Sequence, residues 1–152
     1  MRGAIGNAMV MNIVITFIIL TTAFLVGSIS YSKAFKVKTK IVDIIEKYDG
    51  DFNLGEGKTI MSEIETYLGE TGYRTSSATN SSCKKYASDG DTIMSSTSNY
   101  DICIIAKNSN SGSYRPEYYK VVVYMYFDFP IIGDMIKIPV TGETKSFFIP
   151  IS

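Results

Sequence analysis

The side chains of Cys83 and Cys103 could form a covalent bond with each other, and they are the only two cysteines in this sequence. In an oxidising compartment, one disulfide between them would close a loop of about 20 residues and stabilise the fold by roughly 3 kcal/mol. The alternative is a pair of thiols, with Cys103 buried in a strand as a small apolar residue. We predict the disulfide if the domain that carries the cysteines lies outside the cytoplasm.

The sequence offers little for catalysis, because it contains no histidine. This absence excludes Ser-His-Asp and Cys-His nucleophile arrangements as well as every histidine metal site. Two cysteines without a histidine make a poor zinc site, and no pair of carboxylates stands in a context that suggests acid–base catalysis. We therefore predict that the protein is not an enzyme and that it holds no metal and no cofactor.

Three short loops resemble ligand-binding motifs only in part. Gly55–Thr59 resembles the end of a phosphate-binding loop, but Phe52 stands where the motif needs a glycine, and the preceding element is a predicted helix. Asp49–Asp51 and Asp89–Asp91 lack the repeated carboxylates of a calcium loop. We interpret all three as connecting loops or turns.

Length and charge limit the class of protein. The 152 residues suit one domain plus an anchor, and the 15 basic and 15 acidic residues balance, so no global field favours nucleic acid as a partner.

The N-terminal segment predicts one membrane-spanning helix. No residue between Arg2 and Lys33 is charged, and the apolar run 8–31 exceeds the roughly 20 residues that cross a bilayer. A buried core helix is a poor alternative, because a protein of this size has little core to surround it. A cleaved signal peptide is another, but the run is longer than the usual ~7–15 residues, and no Ala-x-Ala follows. We predict a short cytoplasmic N-terminus at 1–7 and a span at 8–31.

Asn12 is the costliest polar residue within the predicted span. Its amide needs a hydrogen-bond partner in lipid, whereas threonine and serine hydroxyls can bond to the preceding turn of their own helix. Asn12 therefore either contacts a neighbouring helix in the membrane or lies near the interface and reaches water.

The span is predicted to continue as an amphipathic helix at 32–48, because apolar residues recur at spacings of three and four. These residues are Ala34, Val37, Ile41, Ile44, Ile45 and Tyr48. Asp49-Gly50 supplies the C-terminal stop. The helix from about 8 to 48 would then form one rod of about 60 Å.

Residues 49–152 are predicted to form one α+β domain. A short helix with the apolar stripe Ile60, Ile64, Tyr67 and Leu68 is expected first, ended by Gly69 or Gly72. The pattern from 73 to 99 is weak and predicts at most one or two short irregular strands.

The second half of this domain predicts an antiparallel sheet. We expect strands at 100–106, at 118–129 with alternating faces, and at about 141–150, with a short apolar excursion at 131–138. The predicted fold is a long N-terminal transmembrane and amphipathic helix packed on a small antiparallel β-sheet.

The order of these parts resembles a known family. A very short N-terminus (Arg2–Ala8), an uncharged span, an amphipathic helix and a small sheet domain follow one another, and 118–150 reads as strand, proline, apolar excursion and closing strand around Phe129–Gly133. This layout resembles type IV pilin-like proteins, and within them the TadE-like minor pilins (pseudopilins) of tight-adherence pilus and secretion systems.

The resemblance implies cleavage by a prepilin peptidase after Gly3 or Gly6. It also implies that the span packs against other pilin-like subunits or assembly-platform proteins, and that the protein is a structural subunit of a cell-surface pilus or secretion apparatus. The sequence departs from the pilin pattern where pilins carry a glutamate, five residues after the cut, since that position is Ala8 or Met11 here. The alternative is a membrane-anchored extracytoplasmic sensor or adhesion domain.

The predicted orientation rests on conflicting signals. The positive-inside rule counts four lysines after the span (Lys33, Lys36, Lys38 and Lys40) against Arg2 before it, which would place the C-terminal domain in the cytoplasm. The cysteines, the loops rich in serine, threonine and asparagine, and the family resemblance favour the opposite. We predict a single-pass protein of the cell membrane, with a cytoplasmic N-terminus and an extracytoplasmic domain that belongs to a surface filament if the resemblance holds.

Overall fold

The computed structural model describes residues 2–52, 60–73, 75, 83–95, 99–107, 117–129 and 133–147, without the side chains of 2–5, 127–129 and 133–136. Within these residues, two helices precede four strands. The elements are α1 (Arg2–Lys47), α2 (Ile60–Glu70), β1 (Thr92–Ile93), β2 (Ile102–Lys107), β3 (Tyr118–Phe129) and β4 (Gly133–Glu143).

Helix α1 is a single uninterrupted helix of 46 residues. At 1.5 Å per residue it is about 70 Å long. It begins at Arg2 rather than near residue 8. The helix therefore includes both N-terminal glycines, in spite of their low helix propensity. Its end agrees with the prediction: the chain turns at Asp49 and Gly50, which both have positive φ, and the Gly50 amide donates to the Ile45 carbonyl at 2.9 Å.

The four strands form one antiparallel sheet in the order β1-β2-β3-β4. Ile102 pairs with Val123 across β2 and β3, and Phe127 pairs with Ile136 across β3 and β4. Helix α1 packs on one face of this sheet, so the predicted α+β fold is confirmed.

The predicted last strand at 141–150 is wrong in its bounds, because β4 spans Gly133–Glu143. Most of the segment that was interpreted as an apolar excursion pairs with the second half of β3 instead. Pro139 lies within β4 opposite Tyr124 and is tolerated there because β4 is an edge strand. Residues 148–150 lie outside the described part of the chain.

The main core lies between α1, α2 and the sheet. The stripe predicted on α1 is confirmed: Ala34, Val37, Ile41, Ile44 and Ile45 are all at most 3% exposed, and Tyr48 is half-buried against the same core. They pack together with Ile60, Ile64, Leu68, Val121, Val123 and Met125. Each such aliphatic side chain contributes about 1.5–3 kcal/mol when it leaves water, so this contact fixes the second half of α1 to the sheet.

A smaller core covers the opposite face of the sheet. It contains the buried residues Cys83, Cys103, Ile105, Val122 and Tyr124. Successive side chains of β3 therefore belong alternately to the two cores, as predicted, for the residues whose side chains are described.

Helix α2 ends at a glycine. Gly72 has φ +61°, and the Tyr73 amide donates to the Leu68 carbonyl at 2.9 Å, so Gly72 rather than Gly69 provides the left-handed residue. In the weakly patterned region that follows, the described residues contain β1 and one isolated bridge between Thr75 and Tyr100. The loop Gly55–Thr59 lies outside the described residues.

Candidate membrane and subunit-contact surface

The first half of α1 presents apolar side chains on every face. Between residues 6 and 33 only Ala23, Gly27 and Ser30 are half-buried, and all others are exposed. Phe17 is 67% exposed and Phe24 is 77% exposed. The segment Gly6–Lys47 contains an 18-residue window of mean hydropathy 2.4, none of it buried, and is long and apolar enough to cross a membrane. This exposure does not fit the alternative of a buried core helix.

The three threonines of this apolar segment are bonded within the helix. Thr16 donates to the carbonyl of Asn12 at 2.8 Å, and Thr21 and Thr22 donate to carbonyls one turn earlier. These groups therefore enter an apolar environment at little cost. The Asn12 amide, by contrast, forms no hydrogen bond within the described part of the chain and is exposed. It is the polar group of the segment best placed to bond to another molecule.

The two predicted processing positions lie in the first turns of α1. Gly3 is helical, and Gly6 is exposed, with no atom within 4 Å of the place where a Cβ would stand. Cleavage at either glycine stays a prediction.

Two of the four lysines that follow the apolar segment contact the domain. The Lys33 ammonium donates to the Gly72 carbonyl at 3.1 Å, and the Lys38 ammonium lies 4.1 Å from the centre of the Phe35 ring. The Lys38 stem crosses β4 beside Gly142, where an added Cβ would stand 2.7 Å from Lys38 Cδ. These two charges therefore have roles in packing the helix on the sheet, which weakens their use as an orientation signal.

Cys83 and Cys103 form a disulfide, as predicted, with their Cα atoms 5.5 Å apart. The bond is buried: Cys103 is 0% and Cys83 is 3% exposed. It ties the segment before β1 to the second face of the sheet. Stable disulfides are typical of domains in oxidising compartments, which is consistent with an extracytoplasmic domain.

A buried ionic contact that local sequence patterns do not indicate lies beside the start of β2. The Asp101 carboxylate, 3% exposed, accepts a hydrogen bond from the Tyr126 hydroxyl and pairs with the Lys137 ammonium. Lys137 also lies over the Tyr124 ring at 3.9 Å. Only the register brings these residues together, since Tyr126 pairs with Lys137 across β3 and β4.

The Tyr73 hydroxyl bonds to the backbone of β3 beside this ionic contact. It donates to the Tyr124 carbonyl at 2.9 Å and accepts from the Tyr124 amide at 3.0 Å. Burial raises the pKa of the Tyr73 and Tyr124 hydroxyls far above the usual value near 10. Both therefore stay neutral at physiological pH and act as structural groups.

A cavity of about 390 Å³ opens between α1 and β3, at the point where α1 leaves the domain. Its lining residues are Ser30, Lys33, Ala34, Gly72, Tyr73, Tyr124, Met125 and Tyr126. Within the described ranges, no group of three or more His, Cys, Asp or Glu side chains could hold a metal ion. The cavity presents one ammonium and several aromatic rings beside the exposed apolar half of α1.

No family model, curated protein or solved structure matches this chain. The structure nevertheless has a pilin-like architecture, with a long N-terminal apolar helix packed on a four-stranded antiparallel sheet. That architecture agrees with the resemblance at the level of the fold.

A polar contact fixes α2 to the last turns of α1. The Glu63 carboxylate accepts a hydrogen bond from the Tyr48 hydroxyl at 2.6 Å and pairs with the Lys47 ammonium at 3.0 Å. The Tyr48 hydrogen bond, followed by the Lys47 contact, lowers the pKa of Glu63. Because this pKa is lowered on folding, the stability that the contact provides is present above the unfolded glutamate pKa of about 4.3 and is lost as the pH falls through the folded value.

Replacing Tyr48 with phenylalanine is therefore expected to lower the free energy of unfolding by about 1 kcal/mol at pH 7. The loss should shrink as the pH falls below the unfolded glutamate pKa, because a protonated Glu63 no longer provides a charged acceptor. Urea unfolding of the parent and the variant at a series of pH values measures this difference. Tyr67→Phe, on the same helix pair, is the control, and an equal loss at all pH values would contradict the assignment.

Proposed function

We propose that this protein is a structural, pilin-like subunit of the TadE-like minor pilin (pseudopilin) type, in a cell-surface pilus or secretion apparatus. Its α1 inserts in the cell membrane, with the N-terminus in the cytoplasm and the sheet domain outside. It acts by packing α1 against the helices of other pilin-like subunits or of assembly-platform proteins, and by contacts of its domain, without an enzyme activity of its own.

The observation that carries this proposal is the continuity of α1. One helix presents an apolar surface all round in its first half and buries a stripe on the sheet in its second half. A hinge-free helix of this kind transmits the position of the membrane segment directly to the domain. A subunit that packs through its membrane helix needs this rigid coupling, whereas a tethered binding domain does not.

The mature N-terminus tests the proposal. Protein isolated from native membranes is expected to start at Ala4 or Asn7, as measured by mass spectrometry, because a prepilin peptidase would cut after Gly3 or Gly6. Gly3→Leu and Gly6→Leu variants identify the site, since only one of them should block cleavage. An intact start at Met1 or Arg2 would overturn processing and leave a plain signal anchor.

A second candidate is a membrane-anchored extracytoplasmic sensor or adhesion domain. It is favoured by the absence of any acidic residue before Asp43, since the pilin-type glutamate is replaced by Ala8 or Met11. The intact N-terminus described above is the outcome expected for this candidate.

Asn12 provides a separate test of helix packing. Asn12→Leu is expected to weaken association between α1 helices by about 0.6–2 kcal/mol, because an interhelical hydrogen bond in a bilayer contributes about that much. Energy transfer between labelled copies, or between this protein and a partner subunit, in vesicles measures the association.

Thr16→Val is the matched control for Asn12→Leu. The Thr16 hydroxyl is already bonded to the carbonyl of Asn12, so its loss should leave association unchanged. Equal association for the parent and both variants would mean that Asn12 lies near the interface and reaches water.

A further inference from the structure

The direction of β3 relative to α1 determines which part of the sheet approaches the membrane. At one end, the Tyr119 hydroxyl donates to the Gly50 carbonyl at 2.6 Å, just beyond the end of α1. Farther along β3, Met125 lines a cavity together with Ser30 and Ala34. Residue numbers therefore rise along β3 as they fall along α1, and the end of β3 points towards the apolar half of the helix.

Strand geometry shows how far this approach continues. From Tyr119 to Met125 the strand advances about 20 Å at 3.3 Å per residue. The corresponding stretch of α1, from Gly50 back to Ala34, covers about 24 Å at 1.5 Å per residue, so the two rises agree. Tyr126, the next residue, lines the same cavity and so lies at the level of Ser30 to Ala34. Phe129 lies about 10 Å beyond Tyr126 along the strand. This distance corresponds to about six or seven residues of α1. The end of the hairpin therefore reaches the level of roughly residues 24–27 of the helix.

The face of α1 that points towards the sheet changes its burial at this level. Ala23, Gly27 and Ser30 continue the spacing of the core residues Ala34 and Val37, and they are half-buried, whereas their neighbours are exposed. This half-burial agrees with a hairpin that extends past the globular core.

The headgroup level of the membrane is marked by residues at the end of the apolar segment. Tyr31 is 54% and Phe35 is 46% exposed, and the exposed Lys36 stands beside them along α1. Exposed aromatic rings and lysines in this arrangement are typical of the membrane–water interface. The hairpin end, defined here as 127–129 and 133–136, lies on the membrane side of this level.

The sequence of the hairpin end suits a lipid surface. It contains Phe127, Phe129, Met135 and Ile136, and Ile138 just beyond it is 40% exposed. Its two acids, Asp128 and Asp134, limit the depth, because charged groups are costly in the hydrocarbon core but not at the headgroups. The backbone groups at the open edge of β4 also need water, which the headgroup region provides.

We propose that the end of the β3–β4 hairpin is a second membrane-contact element. It rests at the boundary between headgroups and acyl chains, beside α1, and so holds the domain at a fixed height and rotation on the membrane. A phospholipid surface is the expected partner. This inference rests on the proposed insertion of α1 in the membrane.

The test uses the absence of tryptophan from the sequence, which makes a single introduced tryptophan an unambiguous reporter. Full-length Phe129→Trp is reconstituted in phosphatidylcholine vesicles, and its fluorescence is quenched with brominated lipids and, separately, with aqueous iodide. Thr141→Trp is the control on β4, because Thr141 is exposed and lies about 26 Å along the strand from Gly133. Phe17→Trp reports on α1 itself.

The proposal expects bromolipid quenching of Phe129→Trp several-fold stronger than that of Thr141→Trp, with little quenching by iodide. Iodide quenching of Phe129→Trp would overturn it, because the hairpin would then lie in water. Protection from both quenchers would also overturn it, because the hairpin would then face protein, either α1 or a second subunit. Phe17→Trp separates the two proposals: its quenching without that of Phe129→Trp rejects the hairpin contact alone, and no quenching at either position rejects membrane insertion.

Discussion

Replacing Cys83 and Cys103 together with alanine is expected to lower the free energy of unfolding of the domain by about 3 kcal/mol. The disulfide closes a loop with a sequence separation of 20 residues, and its removal restores the freedom of that loop in the unfolded chain. The folded state also depends on it locally, because among the described residues the disulfide packs with Ile105 and Val122 in the small cluster on the second face of the sheet.

Urea unfolding of the full-length protein in detergent, followed by tyrosine fluorescence, measures this loss. The parent protein treated with a reductant is the matched control, since it should unfold at the same urea concentration as the double variant. The reductant should leave the variant unchanged. A parent protein whose unfolding midpoint does not respond to complete reduction, checked by thiol labelling, would contradict a stabilising role for the disulfide.

The parts of the fold that local patterns determine were predictable from the sequence. The stripe on α1 from Ala34 to Ile45 has helical spacing, and the alternation along β3 has the period of a strand. The buried face of α1 and the two faces of β3 could therefore be assigned from the sequence. The stop of α1 at Asp49-Gly50 follows from the conformational freedom of glycine. These features depend on neighbours within a few residues along the chain.

The parts that depend on pairing between distant residues were not predictable. Residues 133–138 mix apolar and charged side chains without a clear period, and only their pairing with β3 shows that they form a strand. Asp101 and Lys137 are 36 positions apart, and nothing near either residue indicates that sheet register joins them. The same register extends the hairpin towards the apolar half of α1, so the proposed second membrane contact could not be inferred from hydropathy alone.

The close approach of Tyr119 to Gly50 combines a local and a long-range requirement. Gly50 has φ +68°, and a Cβ added there would stand 2.7 Å from Tyr119 Cε2. The Tyr119 ring cannot move aside easily, because it is 2% exposed, is bonded through its hydroxyl to the Gly50 carbonyl, and packs against the rings of Phe52 and Phe147. Glycine is therefore required at this position both by its backbone conformation and by the lack of space.

Gly50→Ala is accordingly expected to lower the free energy of unfolding by about 2–4 kcal/mol, of which roughly 1–2 kcal/mol is the cost of a left-handed residue with a Cβ and the rest is displacement of Tyr119. Gly72→Ala is the matched control, because Gly72 has φ +61° but no atom within 4 Å of an added Cβ. It should lose only the conformational part. Urea unfolding of the two variants gives the difference directly. Equal losses would mean that the contact with Tyr119 adds nothing, and that the junction between α1 and the sheet depends on backbone conformation alone.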